Sequence, residues 1–193
     1  MFEIVCDKNV SIVLLTPNHA EELFQLVDKN REEFKDIFAW APLTKSVSDS
    51  LNFIKGTLES FGKRTAVDGC GILYQGKLVG TIGLHKFTYA LSTDKDGKHF
   101  QKKVSCDIGY WLDKDFVGKG IVANALTGII NLAFKDYGFE KVVICCAEDN
   151  TKSASVAERA GFKYVGLLKN EVTLMGKQIN HKLFELQKSD WNK

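Results

Sequence analysis

Gly118 and Gly120 stand between a strand-like run, Asp107-Ile108-Gly109-Tyr110-Trp111-Leu112, and a helical run that opens with Ile121 and Val122. A glycine turn that opens a helix leaves several backbone N–H groups without partners and aimed at one point, next to the positive end of the helix dipole. That arrangement suits phosphate. Glycine at both positions also removes the side chains that would hold a ligand away from the backbone. The spacing lacks the Gly-x-x-x-x-Gly-Lys-Ser/Thr of a P-loop and the third glycine of a dinucleotide fingerprint, so a phosphate-bearing cofactor of another kind is expected. Taken alone, Gly-x-Gly is equally a tight turn before a helix.

The neighbouring elements must position this turn. Val10 to Leu15 reads as a strand, and a helix starts near Pro17 with Leu23, Leu26 and Val27 on one face. A second helical piece covers Arg31–Phe38 and ends by Trp40-Ala41-Pro42, because the residue before proline resists the helical conformation. Ser46 or Ser48 caps a third helix that buries Leu51, Ile54 and Leu58. Past Gly62-Lys63-Arg64 the period becomes strand-like, and Ala66–Tyr74 and Lys77–His85 flank Gln75-Gly76 as a hairpin.

The polar stretch from about Thr88 to Phe100 reads as an exposed loop, and Val104–Leu112 as the strand that enters the glycine turn. The helix over 119–137 buries Val122, Leu126, Ile129, Ile130, Ala133 and Tyr137 and stops at Gly138. Lys141–Ala147 is apolar on both faces, as a central strand would be. A short helix over Asn150–Ala160 follows, then strands Tyr164–Leu174 and Gln178–Leu186 around Met175-Gly176-Lys177. This order implies a mixed sheet with helices on both faces, in which helix 119–137 crosses between parallel neighbours. One domain over residues 1–193 is expected.

Composition narrows the function classes. With 26 basic and 24 acidic residues the net charge is +2, which carries no polyanion-binding signature and disfavours nucleic acid as a substrate. Acidic residues occupy the N-terminal stretch where a signal peptide is positive, and no apolar run approaches a membrane span, so a cytoplasmic protein is expected. The five cysteines include no Cys-x-x-Cys pair and read as free thiols. The four histidines have no metal-ligand spacing, and no metal is expected.

Two separated motifs carry a family resemblance. Ile108-Gly109-Tyr110-Trp111-Leu112 followed by Phe116-Val117-Gly118-Lys119-Gly120-Ile121 resembles the acetyl-CoA pyrophosphate motif of the GNAT N-acetyltransferases. Asn150-Thr151-Lys152-Ser153-Ala154 and Val156-Ala157-Glu158-Arg159-Ala160-Gly161-Phe162 resemble the family's second signature. Together they are similar to the RimJ/RimL-type branch over nearly the whole chain. Three positions depart from the pattern: Asp115 where the superfamily has Gln or Arg, Val117 where RimL-like members often have Gln, and Ala157 where a tyrosine acid is usual.

The resemblance implies an α/β (α+β) fold with a mostly antiparallel sheet of about seven strands. It also implies acetyl-CoA as co-substrate and direct attack of an amine on the thioester. The acceptor is expected to be a peptide or protein N-terminus, a ribosomal protein among the candidates, and the branch implies a homodimer. A non-catalytic acyl-CoA sensor, or an acetyltransferase for a small amine, is the alternative. Cofactor contacts are expected from Ile108, Tyr110, Trp111, Leu112, Val117, Gly118, Lys119, Gly120, Ile121, Val122, Asn150 and Ser153.

Ser153 corresponds to the group near the sulfur and is the expected donor to the departing thiolate; otherwise it only satisfies a helix end. Asn150 is a cap, a cofactor contact, or both. The base proposed for RimL-like enzymes aligns with Val172, which brings in the adjacent Glu171 as candidate. Asp107 shares a strand face with Gly109 and Trp111, and is either a base acting through water or a partner for a lysine across the sheet. Trp40 reads equally as pocket wall or helix-packing core, and Lys119 as phosphate contact or solvated neighbour of the loop.

Overall fold

The computed structural model describes residues 2–63, 66–174 and 176–191; Arg64, in the stretch where the period changes, and Met175, between the last two strands, lie outside them. The strands are β1 (Glu3–Val5), β2 (Val10–Leu14), β3 (Val67–Tyr74), β4 (Lys77–Thr93), β5 (His99–Leu112), β6 (Lys141–Ala147), β7 (Lys163–Leu174) and β8 (Lys177–Gln187). They form one eight-stranded sheet in the order β1-β2-β3-β4-β5-β6-β8-β7. Every neighbouring pair is antiparallel except β5 and β6. The expected mixed, mostly antiparallel sheet is therefore present, with eight strands where about seven were read.

The eighth is β1, whose three residues pair Glu3 with Val13 and Val5 with Ser11. Strands this short carry too little alternation to be legible. The second correction concerns the polar stretch near 88–100. It is a two-stranded ribbon, with Tyr89 opposite Lys103 and Thr93 opposite His99, closed by a turn at 94–98. Both faces of that ribbon are in water, so no apolar period marks it.

Helices α1 (Ala20–Lys29), α2 (Arg31–Phe34), α3 (Val47–Lys63), α4 (Ile121–Asn131) and α5 (Thr151–Arg159) cover the sheet. α1 buries Ala20, Leu23, Leu26 and Val27, a stripe at helical spacing. With Ile54, Leu15 and Leu78 it forms one core. α4 buries Ile121, Ala125, Leu126, Ile129 and Ile130 in a second core with Val79. Leu78 and Val79 are consecutive on β4 and point to opposite faces, so the two cores lie on the two sides of the sheet.

Ser46 rather than Ser48 closes the start of α3: the Asp49 N–H donates to its Oγ at 3.4 Å and its own N–H donates to Asp49 Oδ2 at 2.9 Å. α2 ends at Phe34, short of the expected Phe38. The helix after the glycine turn continues from α4 into a π-helical turn over Leu132–Asp136 and stops at Gly138, whose φ of 75° suits glycine. No helix among the described residues is long and apolar enough to cross a membrane.

Candidate active site

Parallel pairing between β5 and β6 lasts only from Ser105–Lys141 to Asp107–Val143, after which the two strands part. β5 stays bonded on its other side to β4, from His85–Asp107 to Gly80–Leu112. β6 stays bonded to β8 up to Ala147–His181. One edge of Ile108–Leu112 therefore offers backbone donors and acceptors to whatever enters the gap. The gap opens into a cleft of about 1500 Å³ that runs from the glycine turn to α2 and the segment after it.

At one end of the cleft, Gly118 and Gly120 have φ of 85° and 75°, and Gly120 is the N-cap of α4 with no side chain capping the helix. A Cβ at either glycine would meet nothing within 4 Å, so the backbone itself faces open space. The first N–H groups of α4 have no intrahelical acceptor, and no acidic residue occupies the first turn to compete for them. The turn is anchored from behind by Asp113, which is 1% exposed. Its N–H donates to the Val79 carbonyl at 2.8 Å, and its carboxylate accepts from Lys29 Nζ at 2.7 Å and Asn30 Nδ2 at 3.2 Å. Lys29 also reaches Asp115 at 2.5 Å, which holds the Asp115 carboxyl below its ordinary pKa.

In the middle of the cleft the Tyr110 hydroxyl lies 2.9 Å from Ser153 Oγ and donates to the Ser153 carbonyl at 3.4 Å. The Ser153 N–H donates to Asn150 Oδ1 at 3.1 Å, so Asn150 is the α5 cap and also lines the cleft. Burial pushes the Tyr110 phenol up to about 12, against the lowering effect of its bond to Ser153, which keeps it a protonated donor. No local pattern marks this pair of hydroxyls, because the two residues are 43 positions apart.

The other end is aromatic on one wall and titratable on the floor. Phe38 and Trp40 stack at 5.2 Å, Trp40 lies 6.2 Å from Trp111, and Phe34 meets Trp111 edge-on at 5.1 Å. Trp40 is 37% exposed, so it is a wall of the cleft as well as a packing residue. Across the sheet floor Asp68, His85, Asp107, His181 and Glu171 all line the cleft. Lys86 Nζ is 3.4 Å from Asp107 Oδ2, the lysine pairing weighed from sequence. Register shifts sit beside three of these groups, at Val67/Cys70, His85/Thr88 and Leu168/Val172. Bulges of this kind re-aim side chains next to sites, and they interrupt the alternation by which a strand is read. The positions of Asp68 and His85 in the cleft therefore carry no local signal, and alternation alone does not say which face Glu171 takes.

Of the cofactor positions expected from sequence, all but Lys119 line the cleft. The Lys119 ammonium stands 4.6 Å from the centre of the Phe116 ring. Ile108 and Ile121 are 3% and 1% exposed, so their side chains belong to the core; the Ile108 backbone starts the free edge of β5 and that of Ile121 opens α4. Ser153, Asp107 and Glu171 line the same cleft but not the same part of it: Ser153 meets Tyr110, and Asp107 meets Lys86.

Residues 9–163 match the family model described as "Acetyltransferase (GNAT) domain". YdaF of Bacillus subtilis (strain 168), named as a candidate ribosomal N-acetyltransferase, is 29% identical over 194 residues, covering 99% of this chain and 98% of that protein. The ribosomal-protein-serine acetyltransferase of Escherichia coli (strain K12) is 26% identical over 166 residues, 86% of each. Among solved structures, the microcin C7 self-immunity acetyltransferase MccE, in complex with acetyl-CoA and AMP, superposes with a TM-score of 0.80 at 28% identity, covering 94% of both chains.

Proposed function

Since the chain belongs to the GNAT acetyltransferase family, in its RimJ/RimL-type branch, and takes acetyl-CoA as co-substrate, we propose that it acetylates the N-terminal α-amine of a peptide or protein. The observation that carries the reading is the cleft itself. It joins a bare-backbone turn suited to pyrophosphate, an unpaired strand edge, and an aromatic and titratable arm large enough for a chain end. The two named ribosomal acetyltransferases in the branch support the choice of acceptor.

On this reading the main-chain N–H groups around Val117–Val122 hold the pyrophosphate, Asn150 borders it, and the free edge of Ile108–Leu112 orients the pantetheine arm and the acetyl carbonyl. The acceptor arrives as an ammonium, with a pKa of about 8, and must lose a proton before its nitrogen can attack the carbonyl carbon. As the new C–N bond forms and the C–S bond breaks, the sulfur gathers negative charge. Ser153 donates to it, with the Tyr110 hydroxyl behind Ser153 in a chain. Asp107 and Glu171 flank the acceptor arm as charged groups. The reading includes a cytoplasmic location and a homodimer, as the branch implies; light scattering reports the latter directly.

The test is release of free thiol from acetyl-CoA with a panel of N-terminal peptides and small amines, and mass spectrometry of the products. Peptides acetylated at the α-amine in preference to polyamines and amino-acid amides support the reading. Acetylation of small amines alone overturns the acceptor class, and acetyl-CoA binding without turnover on any acceptor would make the protein a sensor.

A further inference from the structure

We propose that His85 is the base that takes the proton from the acceptor amine and that Asp68 receives the amine's charge beforehand; this rests on the acetyl-transfer reading above.

The register of β4 and β5 sets the geometry. His85 is directly opposite Asp107, and Gly83 is directly opposite Gly109, so all four lie on the face that carries Trp111. The two facing glycines let their neighbours come close to the backbone: a Cβ on Gly109 would sit 2.8 Å from His85 Cε1, and a Cβ on Gly83 would sit 2.5 Å from Asp68 Cα, so the imidazole and the β3 backbone fill the space over them. The imidazole therefore leans over the segment of β5 whose free edge begins the gap between β5 and β6.

Asp68 has a buried oxygen, Oδ1, with no hydrogen-bond partner among the described residues. A carboxylate oxygen out of water without a donor is costly, and a substrate ammonium brings three donors. The bulge at Val67/Cys70, where Gly69 has φ of 77°, turns Asp68 into this position, since both Asp68 and Gly69 line the cleft. Asp107 is already engaged by Lys86 at 3.4 Å, and Glu171 is exposed on β7 beyond β6 and β8, so the other carboxylates are less well placed to take the proton.

Burial lowers the pKa of His85 below 6.5, while Asp107 and Asp68 pull it up and Lys86 pushes it down. Those three are the charges that face it from β5, β3 and its own strand; Cys145, His181 and Glu171 lie further along the floor. The ring is thus neutral at pH 7 with a lone pair available. The step balances simply. R–NH3⁺ on Asp68 gives one proton to the imidazole, and the free amine forms the C–N bond as the C–S bond breaks. The nitrogen's surplus proton goes to the sulfur side, and imidazolium returns its proton to water.

The experiment measures acceptor kinetics from pH 5.5 to 9 for wild type, His85→Gln and Asp68→Asn, on whichever peptide or amine the wild type turns over. Acetyl-CoA binding by calorimetry serves as the check that each variant is folded. His85→Gln should lower kcat/KM at least ~10-fold at pH 7, and the deficit should shrink by pH 9, where an α-amine of pKa about 8 is already deprotonated. Asp68→Asn should raise the acceptor KM at least ~10-fold and leave kcat within about 3-fold. NMR titration of the wild-type imidazole, which needs no variant, should find His85 neutral at pH 7. A folded His85→Gln enzyme with wild-type rate and pH profile, or a His85 ring still charged at pH 7, overturns the proposal while the acetyl-transfer reading stands. A wild type that turns over no acceptor overturns both.

Discussion

Replacing Ser153 by Ala removes one hydroxyl from the middle of the cleft and very little else. The bond that holds the start of α5 runs from the Ser153 backbone N–H to Asn150 Oδ1, at 3.1 Å, and survives the change. The Tyr110 hydroxyl loses its partner at 2.9 Å but keeps the Ser153 carbonyl at 3.4 Å. One neutral hydrogen bond is then weakened, a stability cost of about 1 kcal/mol or less. In the reaction the same hydroxyl faces a sulfur that becomes anionic, and a hydrogen bond to a charged group contributes about 1.5–3 kcal/mol. At 1.36 kcal/mol per decade, loss of that bond slows acetyl transfer by about 10- to 150-fold. Because the interaction strengthens only as the C–S bond breaks, acetyl-CoA affinity should move by no more than about 3-fold. Tyr110→Phe should slow transfer as well, and the double variant should cost about as much as the worse single one, since the two hydroxyls act as a chain. Single-turnover kinetics isolate the chemical step, and calorimetry gives the cofactor affinity. A Ser153→Ala enzyme with an unchanged single-turnover rate would refute the role and leave Ser153 a helix-end residue.

Gly120→Val places a β-branched side chain at φ of 75° and on the open side of the turn; acetyl-CoA affinity should fall at least ~10-fold by calorimetry while circular dichroism stays native, with a strain of about 1–2 kcal/mol. Asp113→Ala takes one of two acceptors from the amide of Asn30, which is 1% exposed and keeps the Leu26 carbonyl at 2.8 Å, and frees Lys29 from the back of the turn; urea unfolding should read a loss of about 2 kcal/mol, and an unchanged midpoint would refute the anchoring role. Burial lowers both His85 and His181 below 6.5. Below that pH the unfolded histidines bind protons that the folded ones resist, so this stability is present above pH 6.5 and lost as pH falls through the folded values. The urea midpoint should drop between pH 7.5 and 5.5, and His85→Gln should flatten that slope; a slope that does not change removes His85 as its source. Asp68, raised by burial from 3.8, acts in the opposite sense: its contribution is fully present below its unfolded value and is lost as pH rises through its folded one.

Much of the scaffold was legible in local patterns. The 3.6-residue stripes of α1 and α4, the alternation of β3 and the Gln75-Gly76 hairpin are each written within about fifteen residues of chain. The glycine turn could be read for the same reason: a strand, two glycines and a helix are consecutive, and the unpaired N–H groups follow from that order alone. The order of elements and the two motifs were sufficient for the family. What local patterns cannot carry is an element with no apolar contrast. β1 is three residues long and the 86–103 ribbon is wet on both faces, so neither has a period to detect.

The site divides the same way. Sequence alone laid out the glycine turn at Gly118 and Gly120, with unpaired N–H groups of the kind that suit phosphate, and offered Asn150 as a cap for the helix carrying Ser153, because each depends on neighbours in the chain. Only the tertiary structure decided that Tyr110 meets Ser153 across 43 residues, that β5 and β6 part after Asp107, and that Asp68 and His85 close over the facing glycines Gly83 and Gly109. These are juxtapositions across the sheet. They depend on register and on bulges, and moving the register by a single residue turns every side chain of a strand to its other face without altering its composition.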